Sequence, residues 1–383
     1  MKKTYLLTPG PTPVPEVVLA SFARPLIHHR TPEFQKLFEE VKSALKRFFQ
    51  TENDVMILAS TGTGAMDAVV SNLFSPGDTV LTLNAGKFGE RWTEICRAYQ
   101  ANVIEIVVKP GDTISIEQVR IAVKANPTLK AILFQASETS TGVVLPTREI
   151  CELARTHGLV SICDAVTACG VFSLPMDAWG IDVMITGSQK ALMLPPGLSF
   201  VALSERAWKL EESSRNPHFY FDLRKEKNAS AKNQTAWTPA TSLIQGLSES
   251  LKLIEAEGYE ELYARHERLA RATRAGVDAI KLKRLGLDCP SPAVTAVWVP
   301  KEIVDGKKIV KTLRDRYGIA IAGGQNGLEG KIFRLSHFGY CSEFDVVTAL
   351  SGLELVLNEL GYSVKFGTAV GAALEVFHQA TVV

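Results

Sequence analysis

An α/β protein built on a doubly wound, mainly parallel sheet, followed by a small C-terminal α+β domain, is the fold class the sequence predicts. Three observations carry that reading. Short apolar runs with little polar alternation recur through the first two-thirds of the chain, as in strands covered on both faces. Helix-patterned stretches fall between them, giving repeated strand–helix units. After about residue 205 the rhythm changes to fewer strands and longer helices.

In order, the apolar runs are 55–59, 80–83, 103–108, 131–135, 160–163 and 183–186, each short enough for a strand and too short for a helix. Helical patterns occupy 65–74, 88–99, 116–125 and 148–157. Turn residues punctuate the units at Ser75-Pro76-Gly77-Asp78 and Lys109-Pro110-Gly111-Asp112. Farther on, 242–256 reads as a helix and 259–283 as a long one rich in Arg and Glu. A strand at 293–299, a helix at 306–316, strands at 319–322 and 332–336 and a helix at 343–360 complete the pattern. The resulting division is an N-terminal arm (1–14), a large domain (15–258) and a small domain (259–383), with the 259–283 helix as hinge.

Composition narrows the function classes. The chain has 383 residues, 46% hydrophobic and 22% charged, with a formal net charge of +1. That balance lacks the basic footprint of a dedicated nucleic-acid binder. No apolar run approaches the ~18–20 residues of a membrane span, and Tyr5-Leu6-Leu7 is too short for a secretory h-region of ~7–15 residues. Six cysteines are scattered without a Cys-x-x-Cys pair, as expected of reduced thiols in a cytoplasmic protein and not of a metal or iron–sulfur site.

Ligands of open α/β sheets sit beyond the carboxyl ends of the strands, so the loops after the apolar runs are where chemistry is expected. Ser60-Thr61-Gly62-Thr63-Gly64 opens directly into a helix, a place where free backbone N–H groups and the dipole favour phosphate. Gly86-Lys87-Phe88-Gly89 sets an aromatic in a glycine-flanked turn, and Glu138-Thr139-Ser140-Thr141-Gly142 is a hydroxyl cluster. Asp164 ends one run, and Ser188-Gln189-Lys190 follows the next. The dinucleotide fingerprint fails, with Asp67 at its third glycine and Asn84 where an acidic residue belongs, and no P-loop is present. A phosphate-binding helix start, a stacking aromatic, a strand-end Asp and a strand-end Lys together make up a site for pyridoxal 5′-phosphate. Lysine supplies its covalent attachment, and aspartate pairs with its pyridinium nitrogen.

With these residues in place, the sequence resembles the class V aminotransferases, and within them the alanine–glyoxylate and serine–glyoxylate group. The resemblance rests on Thr8-Pro9-Gly10-Pro11, Ser60-Thr61-Gly62-Thr63, Glu138-Thr139-Ser140-Thr141-Gly142, Asp164-Ala165-Val166, Gly187-Ser188-Gln189-Lys190 and Phe333-Arg334-Leu335-Ser336. These stand in order across 8–360. The resemblance implies the aspartate-aminotransferase-like fold of the pyridoxal-phosphate transferases. It also implies a ping-pong transfer from a small amino acid (alanine, serine or aspartate) to glyoxylate. Lys190 would carry the cofactor and move the proton, with Asp164 on the ring nitrogen, Val166 and Phe88 on its two faces, and Ser140 near its hydroxyl. Thr61, Gly62, Thr63 and Gln189 would hold phosphate, completed by Thr238 of the neighbouring subunit in a homodimer. Close relatives often carry Tyr three residues before that threonine, where this chain has Thr235. Arg334 would take the substrate carboxylate, with Gly10 and Ser140 beside the substrate.

The resemblance leaves other chemistries to weigh. A desulfurase-like lyase requires a mobile cysteine, and neither Cys289 nor Cys341 lies where one is needed. Aminoethylphosphonate transamination differs only in side-pocket residues. A redox role is the alternative of another class, because some family members carry a hydrogenase-subunit label.

Overall fold

The computed structural model describes residues 3–381. Met1, Lys2, Val382 and Val383, the outer ends of the expected arm and small domain, lie outside the described residues. A seven-stranded sheet organises the first half. Its spatial order is Val55–Ser60, Gly197–Leu203, Val183–Gly187, Val160–Asp164, Leu129–Gln135, Thr79–Asn84 and Asn102–Val107. Six strands run in one direction, and Gly197–Leu203 is antiparallel to both of its neighbours.

The six apolar runs are thus all strands, and the sequence reading missed the seventh. Leu198-Ser199-Phe200-Val201-Ala202-Leu203 has the apolar character of a central strand. It follows the preceding strand without a crossover helix, so the strand–helix rhythm passed over it. The helix Pro32–Phe49 was also unread, although Phe34, Phe38, Val41, Leu45 and Phe48 mark one buried stripe.

Successive residues of a strand point to opposite faces, and both faces of this sheet are covered. Leu133, Ile162 and Ile185 join Ala65, Val69 and Trp92 in one apolar layer. Phe134, Cys163 and Met184 join Phe34, Phe38 and Leu45 in the other. Full burial of such side chains contributes ~1.5–3 kcal/mol each, and with no solvated face the runs show no polar alternation.

A second apolar cluster lies under a three-stranded antiparallel sheet ordered Val294–Trp298, Ile332–Ser336 and Ala322–Gly323. The helices Tyr259–Ala279, Glu343–Glu359 and Thr368–Thr381 pack with it. The long helix stops at Ala279, short of the expected 283, because Lys281 turns left-handed (φ 60°) and Leu282 N closes onto Val277 O at 3.2 Å. The expected 306–316 helix is Lys307–Thr312 running into a π-helical turn, Leu313–Tyr317. The 319–322 run divides in two: Ala322–Gly323 joins the three-stranded sheet, while Ile319–Ala320 pairs in parallel with Tyr5–Leu6. Tyr5 and Leu6 of the arm thus form a separate two-stranded sheet with the segment beside the smaller sheet, and the chain then crosses to the large one.

Candidate active site

All the loops singled out in the sequence leave the large sheet along one edge. Ser60 lies opposite Gly197, and Gly187 opposite Ser199. Asp164 is aligned with Gln135 on one side and Ile185 on the other. A cavity of about 280 Å³ opens at this edge, near the lower end of small-molecule sites. Lys190, Asp164, Phe88, Val166, Gln189 and Gly10 line it, together with Thr61, Gly62 and Thr63.

The helix Gly62–Leu73 begins at this wall. Its N-cap Thr61 is extended (φ −115°, ψ 172°) and makes no side-chain cap bond, so the first-turn N–H groups are offered to the cavity. Gly62 cannot bear a side chain, since a Cβ would lie 2.9 Å from Val166 Cγ2. Gln189 contributes a buried Oε1 without a protein partner. The arm closes the opposite wall. Lys190 Nζ donates to Pro9 O, while Thr12 Oγ1 donates to Lys190 O at 2.8 Å. Gly10 takes φ +145°, and a Cβ there would lie 2.3 Å from Lys190 Nζ.

Burial sets the protonation of the central pair. It brings the Lys190 amine down to about 8, reinforced by Arg334 and Arg91 and opposed by Asp164. Asp164 is pushed up to about 6 by the same burial, and the Glu138 charge adds to the rise. The Val166 amide opposes it by donating to Asp164 Oδ1 at 2.8 Å. Near neutral pH the carboxylate is thus ionised, and an appreciable fraction of the lysine is the neutral nucleophile.

Arg334 is buried, and Glu138 is the charge that opposes its desolvation. Among the described residues it forms no ion pair: Nε donates to Gly323 O at 2.9 Å and Nη1 to Thr139 O at 3.0 Å. Two backbone carbonyls thus aim the guanidinium from behind. It stands outside the cavity lining and meets it through Thr139, which is part of that lining.

Ser140 is not in the lining either, contrary to its expected place beside the ring and substrate. Its hydroxyl donates to Glu138 Oε1 and accepts from Lys87 N at 3.0 Å. A fully buried carboxylate is the stronger claimant on a neighbouring hydroxyl. Thr139 and Ser137 stand at the cavity in its place. Thr238 lies apart, in a separate crevice with Glu226, Thr235 and Trp237. The Thr235 hydroxyl is spent on Trp237 O at 2.6 Å. His337 is buried, meets Thr295 Oγ1 at 2.9 Å and is depressed to about 3 by burial.

Two residues escaped the sequence reading. Glu138 is fully buried and accepts from Gln135 Nε2 at 3.0 Å, Phe88 N at 3.1 Å, Gly89 N at 3.0 Å and Ser140 N at 3.0 Å. Burial pushes its carboxyl above the usual range against those donors. Arg91 also lines the cavity. Its place one helical turn after Phe88 was the available signal.

The donor set fits pyridoxal phosphate: a depressed lysine, an ionised strand-end aspartate, an aromatic and a valine, and an open helix start. Comparison with known proteins gives the same cofactor. The class-V aminotransferase family model matches residues 4–346. A soluble hydrogenase 42 kDa subunit of Anabaena cylindrica is 42% identical over 98% of this chain and 99% of that protein. L-aspartate–glyoxylate aminotransferase of Paracoccus denitrificans is 34% identical over 98% of this chain and 96% of that one. The crystal structure of ureidoglycine–glyoxylate aminotransferase from Bacillus subtilis matches with TM-score 0.94 at 32% identity over 99% of both chains. A family match spanning both sheets, with the cavity residues above inside it, has one reading: this chain belongs to the class-V aminotransferases, transaminases that work with pyridoxal 5′-phosphate.

Proposed function

We propose that this protein moves an amino group from a small amino acid, with alanine, serine and aspartate as the donor candidates, to glyoxylate. The cycle has two half-reactions and runs in a homodimer. The observation that carries the reading is the meeting of Lys190 and Asp164 on one cavity, with Arg334 fixed behind Thr139. Glyoxylate as acceptor is supported by relatives named for it, at 34% identity.

Bound pyridoxal phosphate supplies an electron sink for the pair left when the substrate Cα loses its proton. The residues of this chain do the rest. As a neutral amine Lys190 would hold the cofactor's aldehyde covalently, and it would move the proton at the substrate Cα. Asp164 holds a proton on the ring nitrogen. Phe88 and Val166 would pack on the ring, and the amides after Thr61, with Thr63 and Gln189, would hold its phosphate. Arg334 presents a planar fork to the carboxylate shared by amino acid and oxo acid. Gly10 limits how bulky the substrate can be on the Lys190 side, and Thr238 of the second subunit completes the phosphate site.

The hydrogenase designation of the Anabaena relative is not taken over. Five of the six cysteines are buried, and burial pushes Cys96 and Cys151 up to about 12, far from thiolate ligands. Burial likewise raises the Cys341 thiol, which argues against a desulfurase nucleophile.

The test is a panel of amino donors with glyoxylate, following glycine formation. Turnover with one or more of alanine, serine and aspartate is expected. Turnover only with pyruvate or 2-oxoglutarate as acceptor would overturn the glyoxylate assignment, and inorganic sulfide from cysteine would favour the lyase.

A further inference from the structure

Beyond its charge near Lys190, Arg91 meets no carboxylate in the site. It sits half-buried in the cavity wall on the helix Lys87–Ala98, one turn beyond Phe88. Its Nη1 donates to Thr63 Oγ1 at 3.0 Å, and its guanidinium carbon lies 5.0 Å from the Phe88 ring centroid. Other part-buried arginines meet carboxylates: Arg265 with Glu257, and Arg274 with Glu267. Among the described residues Arg91 forms no ion pair, and one of its five N–H groups is taken by protein. An arginine drawn into a cavity wall without a carboxylate is poised for an anionic ligand.

We infer that Arg91 is the countercharge for the phosphate of bound pyridoxal phosphate, reached across Thr63 from the neighbouring helix. The inference rests on the placement of that phosphate at the start of Gly62–Leu73. A phosphate monoester there carries roughly −1.5 to −2 charge at neutral pH. The helix dipole offers only about half a positive charge, and Thr61, Thr63 and Gln189 offer none. Lys190 and Arg91 are the cationic side chains that line the cavity, and Lys190 is committed to the cofactor's aldehyde. Arg334 is held by Gly323 O and Thr139 O for the substrate. Thr63 hands its hydroxyl oxygen to Arg91, which aims the guanidinium at the helix start and not at the Thr139 side of the cavity.

The experiment compares two ligands that differ only in the phosphate. Apoenzyme, and its Arg91→Met and Arg91→Lys variants, are titrated with pyridoxal 5′-phosphate and with pyridoxal, reading the absorbance of the lysine-bound chromophore. Arg91→Met should weaken pyridoxal phosphate roughly 10- to 100-fold while changing pyridoxal less than about threefold, and Arg91→Lys should recover part of the loss. Equal losses for both ligands would mean that Arg91 serves only to support Phe88, and would overturn the assignment. So would unchanged affinities accompanied by a raised KM for aspartate but not for alanine, since Arg91 would then read a substrate side-chain carboxylate. If the parent apoenzyme binds pyridoxal phosphate no more tightly than pyridoxal, the phosphate site itself is misplaced.

Discussion

At Gly10 a single missing side chain keeps the nucleophile free. The φ of +145° strains any residue other than glycine, and a Cβ lying 2.3 Å from Lys190 Nζ would force the lysine out of its place. Gly10→Ala is expected to leave the protein folded but to abolish the visible absorbance of the bound cofactor; full loading would contradict the close approach. Lys190 also makes a pH prediction. Its amine is brought down to about 8, so the reactive neutral form grows as pH rises through that value. The rate at which apoenzyme takes up pyridoxal phosphate should climb roughly tenfold per unit below about pH 8 and level off above it. A rise continuing to pH 10, as for an ordinary lysine, would show that burial does not depress it. Asp164→Asn removes the charge without changing shape, and should slow amino transfer roughly 100-fold or more in single-turnover kinetics. That this pair meets on one cavity was legible in the sequence because a strand-end Asp and a strand-end Lys have few other uses together. The hydrogen bond of the Ser140 hydroxyl was not legible: its partner, Glu138, is two residues away, and only the hairpin turn brings the two together.

The elements explain why the site holds its shape. Glu138 lies on a two-residue strand paired with Val143–Val144 and accepts the N–H groups of Phe88 and Gly89 at the start of Lys87–Ala98. One carboxylate therefore fixes the aromatic and, through the Thr139 turn, the carbonyl that aims Arg334. Replacing it by alanine leaves several buried donors unpaired, at ~1–3 kcal/mol for each group. The thermal midpoint of Glu138→Ala, read by circular dichroism, should fall by roughly 5 °C or more; an unchanged midpoint would contradict the network. The inner strands were readable because both sheet faces over them are dry, which makes each a mostly apolar run; the edge strand Asn102–Val107 is partly exposed and carries Glu105. The antiparallel Gly197–Leu203 strand was equally apolar but lacked a helix before it. The helix Thr368–Thr381 follows the last segment given a pattern, and it buries Ala369 and Ala373 against the long helix, where Gly276 permits the close approach. Small residues at such a contact leave little periodic signal in a sequence.

Over the whole molecule, the arm runs from a two-stranded sheet to the site: Tyr5–Leu6 pairs with Ile319–Ala320, and six residues after Leu6, Thr12 donates to Lys190 O. The position of Thr238, away from its own chain's cavity, fits a site finished by a second copy. Leu26 and Phe219 are exposed at 73% and 71%, apolar surface that a second copy would cover. Sedimentation should show a species of twice the chain mass, and a monomer that retains full activity would remove Thr238 from the site. None of this rhythm of sheets and crossings identifies the donor, because alanine, serine and aspartate differ by a few atoms in a pocket that no motif reports. The most direct measurement is borohydride reduction of the purified, cofactor-loaded protein followed by peptide mass analysis. A pyridoxyl group on the peptide carrying Lys190, absent from Lys190→Ala, is the predicted result; label on a different lysine, or none, would contradict the account.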